Sequence, residues 1–193
     1  YKRQEVKAAF DAIDTNTGNA TANITGTDYT IAQLKAINNK TTGAIVLATP
    51  TANLSGEVAD IVAAFAGTVT TNTGTITISD AGTTDIQATD IATINTAITG
   101  AITVSSAIDI NGSGADVAAA FTAIDTNTGN ATSNITGTDY TVAHLKTIND
   151  KTTGAIVLAT PTANLTGSVS DTVDAFAGTC LLYTSPSPRD IPL

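Results

Sequence analysis

The sequence predicts an α/β chain. It reads as a solenoid of stacked helix-turn-strand coils of about 27–28 residues, paired into units of about 55, with a parallel sheet on one side and short helices on the other. Three observations lead there: a long internal duplication, a finer period in the phenylalanines, and Gly-led β-branched runs that follow amphipathic helical stretches.

Residues 8–68 and 119–179 align at a shift of 111, with about fifty of the sixty-one positions identical. Phe10, Phe65, Phe121 and Phe176 are the only phenylalanines, and they recur at half of that shift. The middle segment is therefore a diverged copy. Residues 1–179 read as one continuous array with units of roughly 10–64, 65–120 and 121–176.

Each unit holds two kinds of helix. Val58, Ile61, Val62 and Phe65 fall at i, i+3, i+4 and i+7, which puts the bulky residues on one helical face; Val117, Ala120, Phe121 and Ile124 repeat the stripe. The second kind reads Ile31, Leu34, Ile37, then Ile91, Ile94, Ile98, then Val142, Leu145, Ile148. Asp28, Asp90 and Asp139 stand near the starts of these helices, where a carboxylate can cap free N–H groups. Strands are expected at Gly43–Leu47, Gly74–Ile78, Gly100–Val104 and Gly154–Leu158. One such coil cannot offset about 1–2 kcal/mol of backbone ordering per residue, so neighbours must complete the core. Stacking of identical coils would place Ile45 and Ile76 in one parallel sheet and Phe10 and Phe65 in equivalent interior layers.

Composition narrows the function. A net charge of −9 with a pI near 4.2 opposes nucleic-acid binding, which needs clustered Lys or Arg. No run of about eighteen apolar residues is present to insert in a membrane. Tyr1 opens the chain on residues that already read as helix, so the lack of a leader is uninformative about export.

The pattern stops at Cys180. Residues 180–190, Cys-Leu-Leu-Tyr-Thr-Ser-Pro-Ser-Pro-Arg-Asp, resemble residue for residue one reading frame of a transposase-end adaptor used in sequencing libraries. That resemblance implies that 180–193 is a non-native, disordered tail on an environmental sequence fragment. Cys180 is the only cysteine, so no disulfide, thiol chemistry or Cys-based zinc site is expected in the repeat.

Candidate sites are few. Asp14 with Asn16, and Asp125 with Asn127, have the Asp-x-Asn spacing of a calcium loop. The glycine falls one place early, no Glu closes the loop, and Val69 stands in the Asp position of the diverged copy, which favours a polar turn. His144 is the only histidine, and its counterpart is Gln33, which points to a surface position. Lys35, Lys40, Lys146 and Lys151 read as helix-end charges. The Asn-x-Ser/Thr triplets at Asn19, Asn53 and Asn134 follow from a composition rich in Asn and Thr. A catalytic constellation is unique, whereas nearly every polar group of one copy recurs in the other, so neither an enzyme nor a cofactor is expected.

The runs Thr27–Asn38 and Thr138–Asn149, each followed by Lys-Thr-Thr-Gly-Ala-Ile-Val-Leu, resemble repeats of very large secreted or cell-surface, adhesin-like proteins of marine bacteria, over about residues 4–179. The resemblance implies an extracellular or surface location and a structural or adhesive role as a spacer, with neighbouring repeats as partners. A glycan- or polymer-binding module presenting Thr21, Thr75, Thr103 and Thr132 is the alternative, followed by a phage or virion fibre. Ice binding through Thr75 and Thr77 is more distant, because Ala44 and Val46, or Ala155 and Val157, take the equivalent outward positions.

Overall fold

A computed structural model describes residues 2–13, 19–178 and 180–182. It is α/β, with parallel strands and, among the described residues, seven helices. In chain order these are α1 (Lys2–Asp11), β1 (Ala22–Ile24), α2 (Ile31–Asn38), β2 (Ile45–Leu47), β3 (Leu54–Gly56), α3 (Val58–Ala64), β4 (Ile76–Ile78), β5 (Asp85–Gln87) and α4 (Ala88–Ala97). There follow β6 (Ile102–Val104), β7 (Asp109–Gly112), α5 (Gly114–Ala123), β8 (Thr126–Asn127), β9 (Thr132–Ile135), α6 (Val142–Asn149), β10 (Ile156–Leu158), α7 (Val169–Ala175) and β11 (Cys180–Leu182).

The chain divides into two compact bodies that interleave in sequence. The first comprises Tyr1–Asp80, Asp90–Ser105 and Ile124–Thr126, and the second Ala81–Thr89, Ser106–Ala123 and Asn127–Leu193. In the first body α1 packs on α2 and α2 on α3; β1 pairs with β2, and β3 with β4 and then β6. In the second, α5 packs on α6 and α6 on α7, beside a sheet of order β11-β10-β9-β7-β5.

The expected single sheet is in fact three. Ile45 pairs with Ala22 and bridges Val69, whereas Ile76 pairs with Leu54 and Ile102, so Ile45 and Ile76 lie in different sheets. Paired strand residues are 22 to 26 apart in sequence, while successive helix starts are 26 to 30 apart. A strand therefore pairs with a position earlier in the next helix-strand cycle than its own.

Most helical stripes behave as their spacing requires. Ile31, Leu34 and Ile37 of α2, Ile91 and Ile94 of α4 with Ile98 just past its end, and Val142, Leu145 and Ile148 of α6 are buried, as are Val117, Ala120, Phe121 and Ile124. The phenylalanines divide: Phe10 and Phe121 are buried, but Phe65 and Phe176 are only half-buried, because each is the C-cap of a helix that ends one residue earlier. Phe10 and Phe65 thus do not fill equivalent layers.

The helix starts correct a second expectation. Thr30, not Asp28, is the N-cap of α2, accepting from the Gln33 amide in a capping box, and Thr141, not Asp139, caps α6. Asp139 instead accepts from the Gly114 amide of α5 at 3.3 Å, and Asp80 accepts from the Val58 amide of α3 at 2.8 Å. These carboxylates cap a helix one cycle back in the sequence. Asp90 sits in the first turn of α4.

Four glycines explain how closely the cycles approach. A Cβ on Gly74 would lie well inside contact distance of the Ala52 carbonyl, and one on Gly100 inside that of the Gly74 carbonyl. Gly43 against Asn19 and Ala20, and Gly154 against Asn130 and Ala131, repeat the arrangement. Beside them Thr41 donates to Ala20 O at 2.7 Å and Thr152 to Ala131 O at 2.6 Å.

One inward residue is mismatched to its site. Ser133 Oγ in β9 is fully buried without a hydrogen-bond partner, while the same repeat position in β1 is the buried Ala22. Removing a buried, unsatisfied hydroxyl relieves a desolvation penalty of about 1–3 kcal/mol. Ser133→Ala is therefore expected to raise the urea midpoint, by about 1 kcal/mol of stability; a loss of stability would mean that the hydroxyl has a partner.

The tail also departs from expectation. Cys180–Leu182 is not disordered but pairs in parallel with Ile156–Leu158, with Cys180 opposite Ile156. The place matches the bridge between Val69 and Ile45 in the first repeat. An unpaired strand edge accepts any extended segment of adequate β-propensity, and Cys-Leu-Leu satisfies that as Val-Thr-Thr does. Residues 183–193 lie outside the described residues.

Candidate functional site

The outward faces of the strands hold the groups that a partner could meet. In the first body Ser55, Thr77 and Thr103 stand in register on β3, β4 and β6. Parallel neighbours lie about 4.8 Å apart, so these hydroxyls form a row at that spacing. Ser55 is exposed and the two threonines are half-buried. The register places Thr77 beside Thr103 and Ser55, and not beside the strand that bears Val46. Thr75 precedes β4, and its amide donates to Asn53 Oδ1 at 2.9 Å.

The four threonines singled out from sequence do not lie in one sheet. Thr103 lies in β6 and Thr75 just before β4, Thr21 is an exposed residue just before β1, and Thr132 lies in β9. In the second body Thr132 continues a different row, Asp85–Asp109–Thr132, beside which runs Gln87–Asn111–Asn134. Asp85 and Asp109 are directly opposite like charges, a destabilising pair on a sheet unless donors intervene. Asn111 supplies one to Asp85 Oδ1 at 3.1 Å, and the Thr132 hydroxyl supplies another to Asp109 Oδ1. These rows escaped sequence reading because their members come from different cycles and share no motif.

Of the Asp-x-Asn candidates, Asp125 and Asn127 are engaged with the backbone. Asp125 Oδ2 accepts from the Ile102 amide at 2.9 Å. Asn127 donates to Lys151 O at 3.2 Å and accepts from the Ala131 amide at 3.0 Å. Asp14 and Asn16 lie outside the described residues. Among the described residues no group of three or more His, Cys, Asp or Glu is placed to hold a metal ion.

Other polar side chains link successive cycles. Asn38 donates to Ala63 O at 2.8 Å and Asn149 to Asp174 O at 2.9 Å, each satisfying a helix C-terminal carbonyl of the following cycle. Lys35 pairs with Asp60, and Lys146 with Asp174 at 3.0 Å and Asp150 at 3.5 Å. The hydrogen bond from Lys146 to Asp174, aided by both carboxylate charges, raises the Lys146 pKa above the usual lysine value. These two lysines bridge helices and are not merely solvated ends. His144 is half-buried, with Nδ1 lacking a hydrogen-bond partner, where Gln33 completes the capping box of α2.

Asn72 is fully buried and fully engaged. It accepts from Tyr29 Oη at 2.9 Å and donates to Ala52 O and Gly74 O at 3.0 and 3.1 Å. Burial pushes the Tyr29 phenol up from its ordinary pKa of 10.0. Burial disfavours the phenolate, so the neutral phenol is the form that the fold holds. That contribution is fully present below the ordinary value and is lost as pH climbs through the folded one. Stability is thus expected to fall on alkaline titration above pH 10.0, and to fall less in Tyr29→Phe. An identical slope in the variant would show that Tyr29 is not the group responsible.

No helix among the described residues is long and apolar enough to cross a membrane. No protein-family description, curated protein or solved structure matches this chain.

Proposed function

We propose that this chain is a non-catalytic structural segment of a large extracellular or surface-displayed bacterial protein, a stacked helix-and-strand solenoid that works as a spacer. The observation that carries the reading is the use of the polar side chains. Asp80, Asp125, Asn38, Asn149, Thr41 and Thr152 each bond backbone one cycle away, so the groups that could perform chemistry instead hold cycle to cycle. The repeated glycine approaches and the recurring parallel offset support the same stacking. The acidic composition suits a saline exterior, and residues 180–190 are assigned to adaptor read-through.

Linking one, two and three copies of residues 8–118 tests the solenoid. Stability and denaturant m-value should climb with each copy, because neighbouring cycles contribute nearest-neighbour terms. Independent, unchanged transitions would sink the reading. Recovery of the full reading frame tests the location: an export signal and further repeats are expected.

The row Ser55–Thr77–Thr103 favours a second role, multivalent contact with a hydroxyl-bearing polymer such as a surface glycan. Retention on immobilised polysaccharide that disappears in Thr77→Lys would support it; equal retention of the variant would remove this row from consideration.

A further inference from the structure

A groove of about 410 Å³ opens between α6 and the start of α7, within the second body. That volume falls in the range of small-ligand sites, about 300–1,000 Å³. Val142, Ala143 and Gly167 give the groove apolar surface, and Thr147 and Thr166 bring hydroxyls. Its charges are Lys146, Asp150 and Asp171. The same positions stand open between α2 and α3, where further cycles follow: Ala32, Asn39 and Ser55 are exposed, and Lys35, Ala36, Gly56 and Asp60 are half-buried. The groove is thus a feature of the repeat.

The two copies furnish it differently. Four of its eight lining positions differ between them, against about eleven of the sixty-one aligned. Val142 replaces Ile31 and removes a methylene, Thr147 replaces Ala36, Thr166 replaces Ser55, and Asp150 replaces Asn39. Beyond the groove, Asp174 stands where the first copy has Ala63. The new carboxylates relocate a cation. In the first copy Lys35 of α2 pairs with Asp60 of α3. In the second Lys146 is bonded to Asp174 at 3.0 Å and lies 3.5 Å from Asp150. Asp171, the counterpart of Asp60, accepts from the Ser168 hydroxyl at 2.7 Å and pairs with no Lys or Arg among the described residues.

We infer that the α6–α7 groove binds an alkyl ammonium ion, held by Asp171 as Asp60 holds the Lys35 ammonium, with its carbon chain against Val142 and Ala143. The first copy shows which ion this carboxylate position takes: a primary ammonium on an alkyl stem. Charge agrees, since Lys146 stands against three carboxylates, Asp150, Asp171 and Asp174, so a cation is attracted and an anion repelled. Both Asp150 and Asp171 are exposed, and water screens them, so binding is weak. The inference does not depend on the spacer role or on where the parent protein resides.

Amide NMR of the isotopically labelled full chain, titrated with n-butylamine at neutral pH, reads this directly. Saturable shifts are expected in residues 142–150 and 166–171, with a Kd of about 1–10 mM. Neither n-butanol on that groove nor n-butylamine on the α2–α3 groove should produce them. Asp150→Asn combined with Asp174→Ala restores the residues of the first copy, whose fold already carries them, and returns Lys146 to Asp171. Binding should then weaken about tenfold although Asp171 is intact, a shift of about 1.4 kcal/mol. N-acetyl-lysine methylamide separates two sources of the ion: binding like that of n-butylamine assigns the groove to a lysine of a partner protein, and loss of binding assigns it to a small amine. Absence of saturable shifts, equal shifts with n-butanol, an equal response between α2 and α3, or undiminished binding in the double variant would each overturn the inference.

Discussion

Gly100→Ala is expected to lower the unfolding free energy by about 3 kcal/mol. The new Cβ would meet the Gly74 carbonyl, which is backbone and cannot swing aside. Nor can the strands separate cheaply. Two residues on, Ile102 pairs with Ile76, and the Ile76 amide donates to Ala101 O at 2.9 Å. Opening that gap loses hydrogen bonds worth about 0.5–1.5 kcal/mol each, and leaving it closed compresses a packed backbone at a cost of about 1–3 kcal/mol. Gly82→Ala is the internal control. Its nearest neighbours, Ala107 O and N, lie at 3.8 and 4.0 Å, an ordinary contact. That change should leave stability unaltered or raise it by about 0.4–1 kcal/mol through the unfolded chain. Equal urea midpoints for the two variants would show that the close approach at Gly100 does not constrain the fold.

Phe121→Ala should cost about 3–5 kcal/mol, and Phe176→Ala under about 2 kcal/mol, although the two residues hold related places in the repeat. Phe121 lies within α5 with no exposed surface, so truncation leaves a cavity between elements that relax only in part. Phe176 is a half-buried C-cap, where solvent fills part of the vacated space. Chemical denaturation of both variants checks the difference; similar losses would mean that the interior around Phe121 collapses onto the gap.

That contrast was open to reading from the sequence. Phe65 and Phe176 are followed by Ala-Gly, and Gly67 takes a φ of +72° just past the end of α3, a C-terminal stop signal. Phe10 and Phe121 are followed by a further apolar residue at the third position, Ile13 and Ile124, and no glycine intervenes. The helical stripes and Gly-led strands were legible for the same reason: period and punctuation are local. Strand partners were not. A three-residue strand with two buried ends looks alike at β2, β4, β6 and β10, so nothing in Ile45-Val46-Leu47 says whether it faces Val69 or Ile76. Caps such as Asp80 on Val58 were hidden too, since rules of spacing see only a helix's own turn. The hydroxyl row Ser55–Thr77–Thr103 becomes visible only once the pairing is known.

The mismatch between the shorter strand step and the longer helix step makes the chain a molecular vernier. Each cycle slips by about four residues against the last, and after two cycles the slip of about eight nearly equals the distance from one strand to the next, as from Ile45 to Leu54 or from Ile102 to Asp109. Only then do the two scales coincide again. Gain or loss of repeats is thereby expected to come in even numbers of cycles, about 55 residues rather than about 28. The long shift that relates the two near-identical copies is such an even number, four cycles.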